Sequence, residues 1–385
     1  MRKPAASICI FLLVAAAGSC APRRGPSLPS RPAPAPIAGL DLVGEFDIPP
    51  LTTLDGLKPA RFGGISGLAV DPTTKEFLGI CDDRQDSRIF VFRARPPLSP
   101  FRVELRSYFP LPSGPGAPEG LDPEGIAISS AGEIFVASEG IQNHEPRVPP
   151  AIVEYSNRVD YVRRLTIPSK FIPPATGPIT QGVRDNASLE SLTLTPDGQH
   201  LYTAAEAALA QDGELADWKQ GTIARILEFE QVGGTFEPRR EFAYPVDRLP
   251  KPDFTPGFFI NGLVELVALG DSEFLSMERG YAEEPGGTGR SKNWLRIFRI
   301  SLEGASEISK LDSIAGARVT PVRKTLLLDL STVKGLSPQL ANLDNFEGMQ
   351  FGPVLPDGAR TLLVVSDDNF SARQRTAFLL FRIRE

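Results

Sequence analysis

Short apolar runs recur along the chain in pairs, broken by turn residues. Each pair opens just after a Gly or an acidic residue, passes through a turn, and ends its second run in acid. The pairs are Gly64–Asp71 with Ile80–Asp83, Glu124–Ile128 with Phe135–Glu139, and Glu190–Leu194 with Leu201–Glu206. Glu265–Leu269 with Phe274–Glu278 and Glu347–Phe351 with Leu363–Asp368 complete the set. Runs this short, alternating and Gly- or Pro-bounded predict strands, and no helical periodicity of useful length competes with them. The turns are marked by Asp71-Pro72, Pro196-Asp197-Gly198, Gly270-Asp271 and Pro356-Asp357-Gly358, residues that nucleate tight hairpins.

Two further strands follow most pairs: Arg88–Phe92 and Phe101–Tyr108, Ala151–Tyr155 and Tyr161–Ile167, Ala224–Phe229 and Arg240–Tyr244, Leu295–Ile300 and Lys324–Leu330. The last unit has only Ala377–Ile383, and Leu42–Ile48 is the strand available to complete it. A repeat of roughly 60–80 residues built this way predicts an all-β fold. It is a single β-propeller of five four-stranded blades, closed by pairing the N- and C-terminal strands. A sixth blade fits only if residues 280–330 or 168–188 conceal a diverged one. The long irregular stretches, such as 110–123, 140–150 and 168–188, fall at joints that share one rim, where a substrate would be held.

Such a ring brings the acids that bound the paired strands to one axis. Asp82, Asp83, Glu124, Glu139, Glu190, Glu206, Glu265, Glu278, Glu347, Asp367 and Asp368 are the predicted cation ligands. Like charges that close cannot all stay ionised and unpaired, and many hard oxygen donors select Ca²⁺. Arg61, Arg84, Arg279 and Arg373 are placed either to neutralise them or to grip an anionic substrate. Asn186, Asn261, Asn345 and Asn369 add neutral donors. Glu139, Glu278 and His144 are candidate catalytic groups; His200 reads as a hairpin residue. Gly64-Ile65-Ser66-Gly67 lacks the final glycine of a nucleophile elbow, and no Walker, HExxH or CxxC pattern occurs.

Residues 1–20 look like a leader: Arg2 and Lys3, then an apolar stretch of about ten residues, too short to span a bilayer. It ends in Ala17-Gly18-Ser19-Cys20, which predicts lipidation of Cys20 and export to the bacterial envelope; simple secretion with cleavage near Ala21 is the alternative. Residues 21–39 are Pro-rich and read as a tether, leaving 40–385 as the domain. Cys9 and Cys20 fall in the leader, so the body holds Cys81 alone, a buried strand residue with no disulfide partner. The net charge of −6, with acids clustered, argues against nucleic acid as a partner and suits a cation site. A monomer is expected.

One series of motifs resembles the phytase-like domain family, also described as esterase-like activity of phytase. It runs Gly63–Leu68 with Cys81–Arg84, Asp122–Ile126 with Ser138–Gly140, Leu189-Glu190 with Thr195–Gly198 and Glu206, Met277–Arg279, Leu343–Gly348 with Ser366–Phe370, and Thr376–Arg382. The resemblance implies a propeller related in architecture to the β-propeller phytases, exported by bacteria. It further implies calcium-dependent hydrolysis of phosphate monoesters or other esters, with the acids above on the family's acidic positions. Two departures are visible: Leu266 follows Glu265 where Gly is usual, and Asp368 stands where Asn is common. A non-catalytic calcium-stabilised binding module and a lactonase-like propeller are the other readings.

Overall fold

A computed structural model describes residues 36–50, 52, 62–95, 100–112, 117–341 and 344–385. The leader, Cys20, most of the tether and Arg61 lie outside the described residues. Among the described residues, the unit Ile37–Glu385 holds twenty strands in five four-stranded antiparallel sheets. Blade I is β2 (Ile65–Val70), β3 (Phe77–Cys81), β4 (Arg88–Arg95) and β5 (Arg102–Pro110). Blade II is β6 (Pro123–Ile128), β7 (Ile134–Ser138), β8 (Ala151–Tyr155) and β9 (Tyr161–Arg164). Blade III is β10 (Leu189–Leu194), β11 (His200–Ala205), β12 (Thr222–Val232) and β13 (Thr235–Val246). Blade IV is β14 (Phe258–Ala268), β15 (Glu273–Glu283), β16 (Ser291–Ser301) and β17 (Arg323–Asp329). Blade V takes β18 (Asn345–Phe351), β19 (Thr361–Asp367) and β20 (Thr376–Arg384), with β1 (Gly39–Ile48) on its outer edge.

The closure has the predicted form. β1 pairs with β20 from Gly39 opposite Arg384 to Ile48 opposite Thr376, so the two ends of the domain finish one sheet. The core lies in the seams between blades. Five apolar clusters each join two neighbours, as where Phe92 of blade I meets Phe378 of blade V, or Tyr202 of blade III meets Phe274 of blade IV. This explains why the first two strands of blades I and II are apolar on both faces: both sides are covered by adjacent blades.

The inner strands β2, β6, β10, β14 and β18 pack around the axis, and they pack tightly. A Cβ on Gly67 would sit 2.5 Å from the Glu124 carbonyl oxygen, and one on Gly125 would sit 2.7 Å from the Leu192 nitrogen. Only the absence of a side chain lets these strands approach so closely.

No sixth blade hides in the chain's described residues. Residues 168–188 hold a 3₁₀ turn (Ser169–Phe171) and irregular chain, and residues 280–330 contain the ends of β15, all of β16, and β17. Between β16 and β17 the chain makes an excursion over blade III. Ile308 N donates to Glu241 O at 3.0 Å and Val322 N to Ala243 O at 2.9 Å. Beneath this strap lies a buried ion cluster. Arg225 binds Asp212 with two bonds of 2.6 and 2.9 Å and Glu241 at 2.7 Å, and Lys170 lies 3.3 Å from Glu241.

Candidate functional site

Every inner hairpin carries a β-bulge at its first strand. The register shifts at Ser66 in β2, Glu124 in β6, Glu190 in β10, Val264 in β14 and Glu347 in β18. A bulge leaves one residue outside the ladder and re-aims its side chain. On the second strand, the position just beyond the residue paired to the one preceding the bulge holds Asp82, Glu139, Glu206, Arg279 and Asp367. Equivalent places in the blades therefore supply Glu124, Glu190 and Glu347 from bulges, and Asp82, Glu139, Glu206 and Asp367 from second strands. Blade IV supplies Val264 and a guanidinium instead.

This corrects the sequence reading of blade IV by one residue. Glu265 stands where the other blades have Gly67, Gly125, Ser191 and Gly348. Its carboxylate points across the axis and accepts from Leu266 N at 2.9 Å and Met349 N at 3.4 Å, with the amides of Leu68 and Leu192 also facing it. Glu278 turns into the seam instead. It accepts from Lys324 Nζ at 2.5 Å, Tyr244 OH at 2.9 Å and Asn261 Nδ2 at 3.2 Å. Strand alternation sends Arg279, its neighbour, to the cleft.

The remaining expected residues divide in the same way. Asp83 caps a local turn through Gln85 N and Asp86 N, with Arg88 at 3.4 Å. Asp368 joins blades V and I by accepting from Gly64 N at 3.0 Å, and neither it nor Asp83 lines the cleft. His144 is exposed and its Nδ1 lies 3.0 Å from the Pro146 carbonyl oxygen. Arg84 is spent on Asp122, while exposed Arg373 lines the cleft mouth. Asn186, Asn345 and Asn369 line the cleft; Asn261 does not.

The cleft has a volume of about 640 Å³, and the ring acids other than Glu206 line it with Arg279. Arg279 Nη2 binds Glu347 Oε1 at 2.8 Å and stands 3.7 Å from Glu206 Oε1, spanning blades III to V. Asn345 donates to the same Glu347 oxygen at 2.8 Å. Glu139 Oε1 accepts from Ser188 N at 2.6 Å, which fixes it between blades II and III.

On the far side Asp122, Glu124 and Glu139 each offer one oxygen, all within 4.8 Å of one another. Asp122 was not among the expected ligands; its place in Asp122-Pro123-Glu124, directly before a bulged acid, is the signal that identifies it.

Crowding shifts these groups in one direction. Burial, then the Glu206 charge, pushes Glu139 up to about 8. Burial pushes Glu206 up to about 7, against the pull of Arg279. Burial and neighbouring carboxylates raise Asp82, Glu124, Glu190 and Asp367 well above the ordinary carboxylate range. Among the described residues, buried Asp82 Oδ1 and both carboxylate oxygens of Glu206 meet no hydrogen-bond donor. Oxygen-only donors, several of them without hydrogen-bond partners, fit a hard cation.

The model of the family described as esterase-like activity of phytase matches residues 60–370, which contain every ring position. The chain belongs to the phytase-like family. Family membership makes this a hydrolase-type propeller. Comparison with curated proteins gave no match.

Similar solved structures include a Penicillium chrysogenum α-L-arabinanase complexed with arabinobiose, at 11% identity, covering 90% of this chain and 98% of that one, with a TM-score of 0.39. A Xanthomonas campestris gluconolactonase is similar at 12% identity, 91% and 98% coverage and a TM-score of 0.33. Hydrazine synthase of Kuenenia stuttgartiensis follows at 10% identity, 86% and 99% coverage and a TM-score of 0.33. Likeness at this level says nothing about what the phytase-like cleft does.

Proposed function

We propose that this phytase-like propeller hydrolyses phosphate monoesters or other esters in its acidic cleft, with calcium held by Asp122, Glu124 and Glu139 and assisted by the neighbouring ring acids. The observation that carries the reading is that six ring carboxylates from four blades line one cleft, and that Asp82 and Glu206 of the ring keep buried oxygens that meet no donor. Bound there, calcium would polarise the ester oxygen and acidify a water ligand.

The chain's own groups have separable tasks. Arg279 neutralises Glu347 and Glu206 and keeps the centre from repelling itself apart. Arg373, exposed in the cleft lining, meets the incoming anion. Glu139, held in place by Ser188 N between blades II and III, would take the proton of the attacking water. The protein works from the bacterial envelope, anchored through a lipid on Cys20.

The test is an assay on p-nitrophenyl phosphate, p-nitrophenyl acetate, phytate and a sugar lactone, with calcium and with EDTA. Turnover is expected with calcium and not with EDTA, and Glu139→Gln should lower kcat roughly 100-fold or more. Turnover undiminished by EDTA would overturn the calcium role. A calcium-induced rise in Tm without turnover on any ester would make the protein a binding module.

A further inference from the structure

The hairpin β14–β15 forms one wall of the acidic cleft, and beside the charged Arg279 and Glu283 that wall carries an apolar patch. Phe258, Ile260 and Tyr281 line it together. Phe258 and Ile260 are two residues apart on β14, hence on one face, and Tyr281 pairs opposite Ile260. The Phe258 and Tyr281 rings lie 6.1 Å apart at 49°. Ile260 is buried, yet Phe258 is 50% exposed, one of the few large apolar side chains among the described residues that face solvent. An aromatic ring held open beside a charged centre is a stacking surface.

Charge narrows the ligand further. Among the described residues, eight carboxylates line the cleft against two guanidiniums, those of Arg279 and Arg373, and Arg279 is already paired. A polyphosphorylated molecule would bring several negative charges to a wall that offers one uncommitted cation.

Resting on the hydrolase reading above, we propose that the substrate is an ester carrying a single phosphate or acyl group on an aryl or sugar ring. The ring lies on Phe258 and Tyr281, and Phe258 sets the specificity. Phytate is then a poor substrate despite the family's description.

The experiment compares wild type, Phe258→Ala and Phe258→Trp on phenyl phosphate, glucose phosphate, glycerol phosphate and phytate in calcium. Phe258→Ala is expected to raise KM for the ring esters about 3- to 10-fold, with kcat kept, and to leave glycerol phosphate unchanged. Phe258→Trp should restore the wild-type KM. Comparing phenyl with glucose phosphate separates aryl from sugar preference. An equal KM change for ring and acyclic esters, or phytate turned over with a higher kcat/KM than phenyl phosphate, overturns the proposal.

Calorimetric binding of phenylphosphonate and methylphosphonate in calcium gives a readout that needs no turnover. Wild type should prefer the phenyl compound and Phe258→Ala should not. Loss of that preference in the wild type sinks this inference alone, whereas absence of turnover with the preference intact sinks only the hydrolase reading.

Discussion

Glu265 shows how one side chain can serve a ring of five. At the level of the axis where it lies, the other blades carry Gly or Ser. Backbone amides of β2, β10, β14 and β18 face that carboxylate, so its oxygens tie strands from four blades at the residues beside the bulges. Burial raises its pKa well above the usual range while the amide donors oppose the shift. Removing it would leave amide donors without acceptors around a cavity. Glu265→Ala should therefore lose roughly 2–4 kcal/mol, combining unsatisfied donors with lost packing. Because the amides would remain, a small carboxylate should fit the vacated position. Thermal melts of the variant in formate, compared with chloride at equal ionic strength, should show a partial recovery of Tm that the wild type lacks. Equal melts in the two salts would mean that the axis does not prefer a carboxylate.

At the scale of elements, the hairpin repeat was legible because two signals agreed: alternation set the strands, and Asp-Gly or Asp-Pro set their turns. Asp71 Oδ1 accepts from Thr73 N at 2.7 Å and Asp197 Oδ1 from Gln199 N at 3.0 Å, the contacts those turn residues were expected to make. The bulges were not legible, since inserting one residue changes which side chain faces the axis without changing the apolar pattern. That is why Glu265 and Glu278 were expected in the ring where Val264 and Arg279 stand. Leu266 following Glu265, in place of Gly, was the one trace of the shift.

The strap from blade IV to blade III was equally hidden, because its anchor is a set of charges far apart in sequence. Arg225 and Asp212 are fully buried as a bidentate pair, and Asp212 Oδ1 also accepts from Ile314 N at 3.0 Å. Truncating one partner of such a pair leaves a buried charge uncompensated. Asp212→Ala should destabilise by about 3–5 kcal/mol. Amide exchange should rise first in residues 306–320, ahead of the strands. Urea melts and hydrogen exchange measure both, and unchanged protection of the strap would show that the ion cluster does not hold it.

For the whole molecule, closing the ring forces the acids together, so fold and site compete for the same free energy. β1 on β20 and the apolar seams hold the blades in a circle, and the circle sets the distances between carboxylates. Glu139 near 8 and Glu206 near 7 are both raised above the ordinary glutamate value of 4.5. For a raised group, the folded state binds the proton more tightly than the unfolded state. Its contribution is complete below about pH 4.5 and is lost as pH climbs through 7 to 8.

Without divalent cations the stability, and the Tm with it, should therefore fall steadily from about pH 5 to 8.5, the unfolding free energy dropping by about 1.4 kcal/mol per pH unit for each group still protonated only in the folded protein. A cation has the opposite preference, since it binds the ionised carboxylates and expels their protons. Calcium should raise the Tm most at the alkaline end, flatten the pH profile and release protons on binding. At about 100 times its Kd it should add about 2.7 kcal/mol. Melts across pH with and without calcium, together with calorimetry in two buffers of different ionisation enthalpy, read all three effects. A cation-free Tm that stays level or rises from pH 5 to 8.5 would mean that the carboxylates are neutralised within the fold itself. The ring would then be a structural assembly with no demand for an ion.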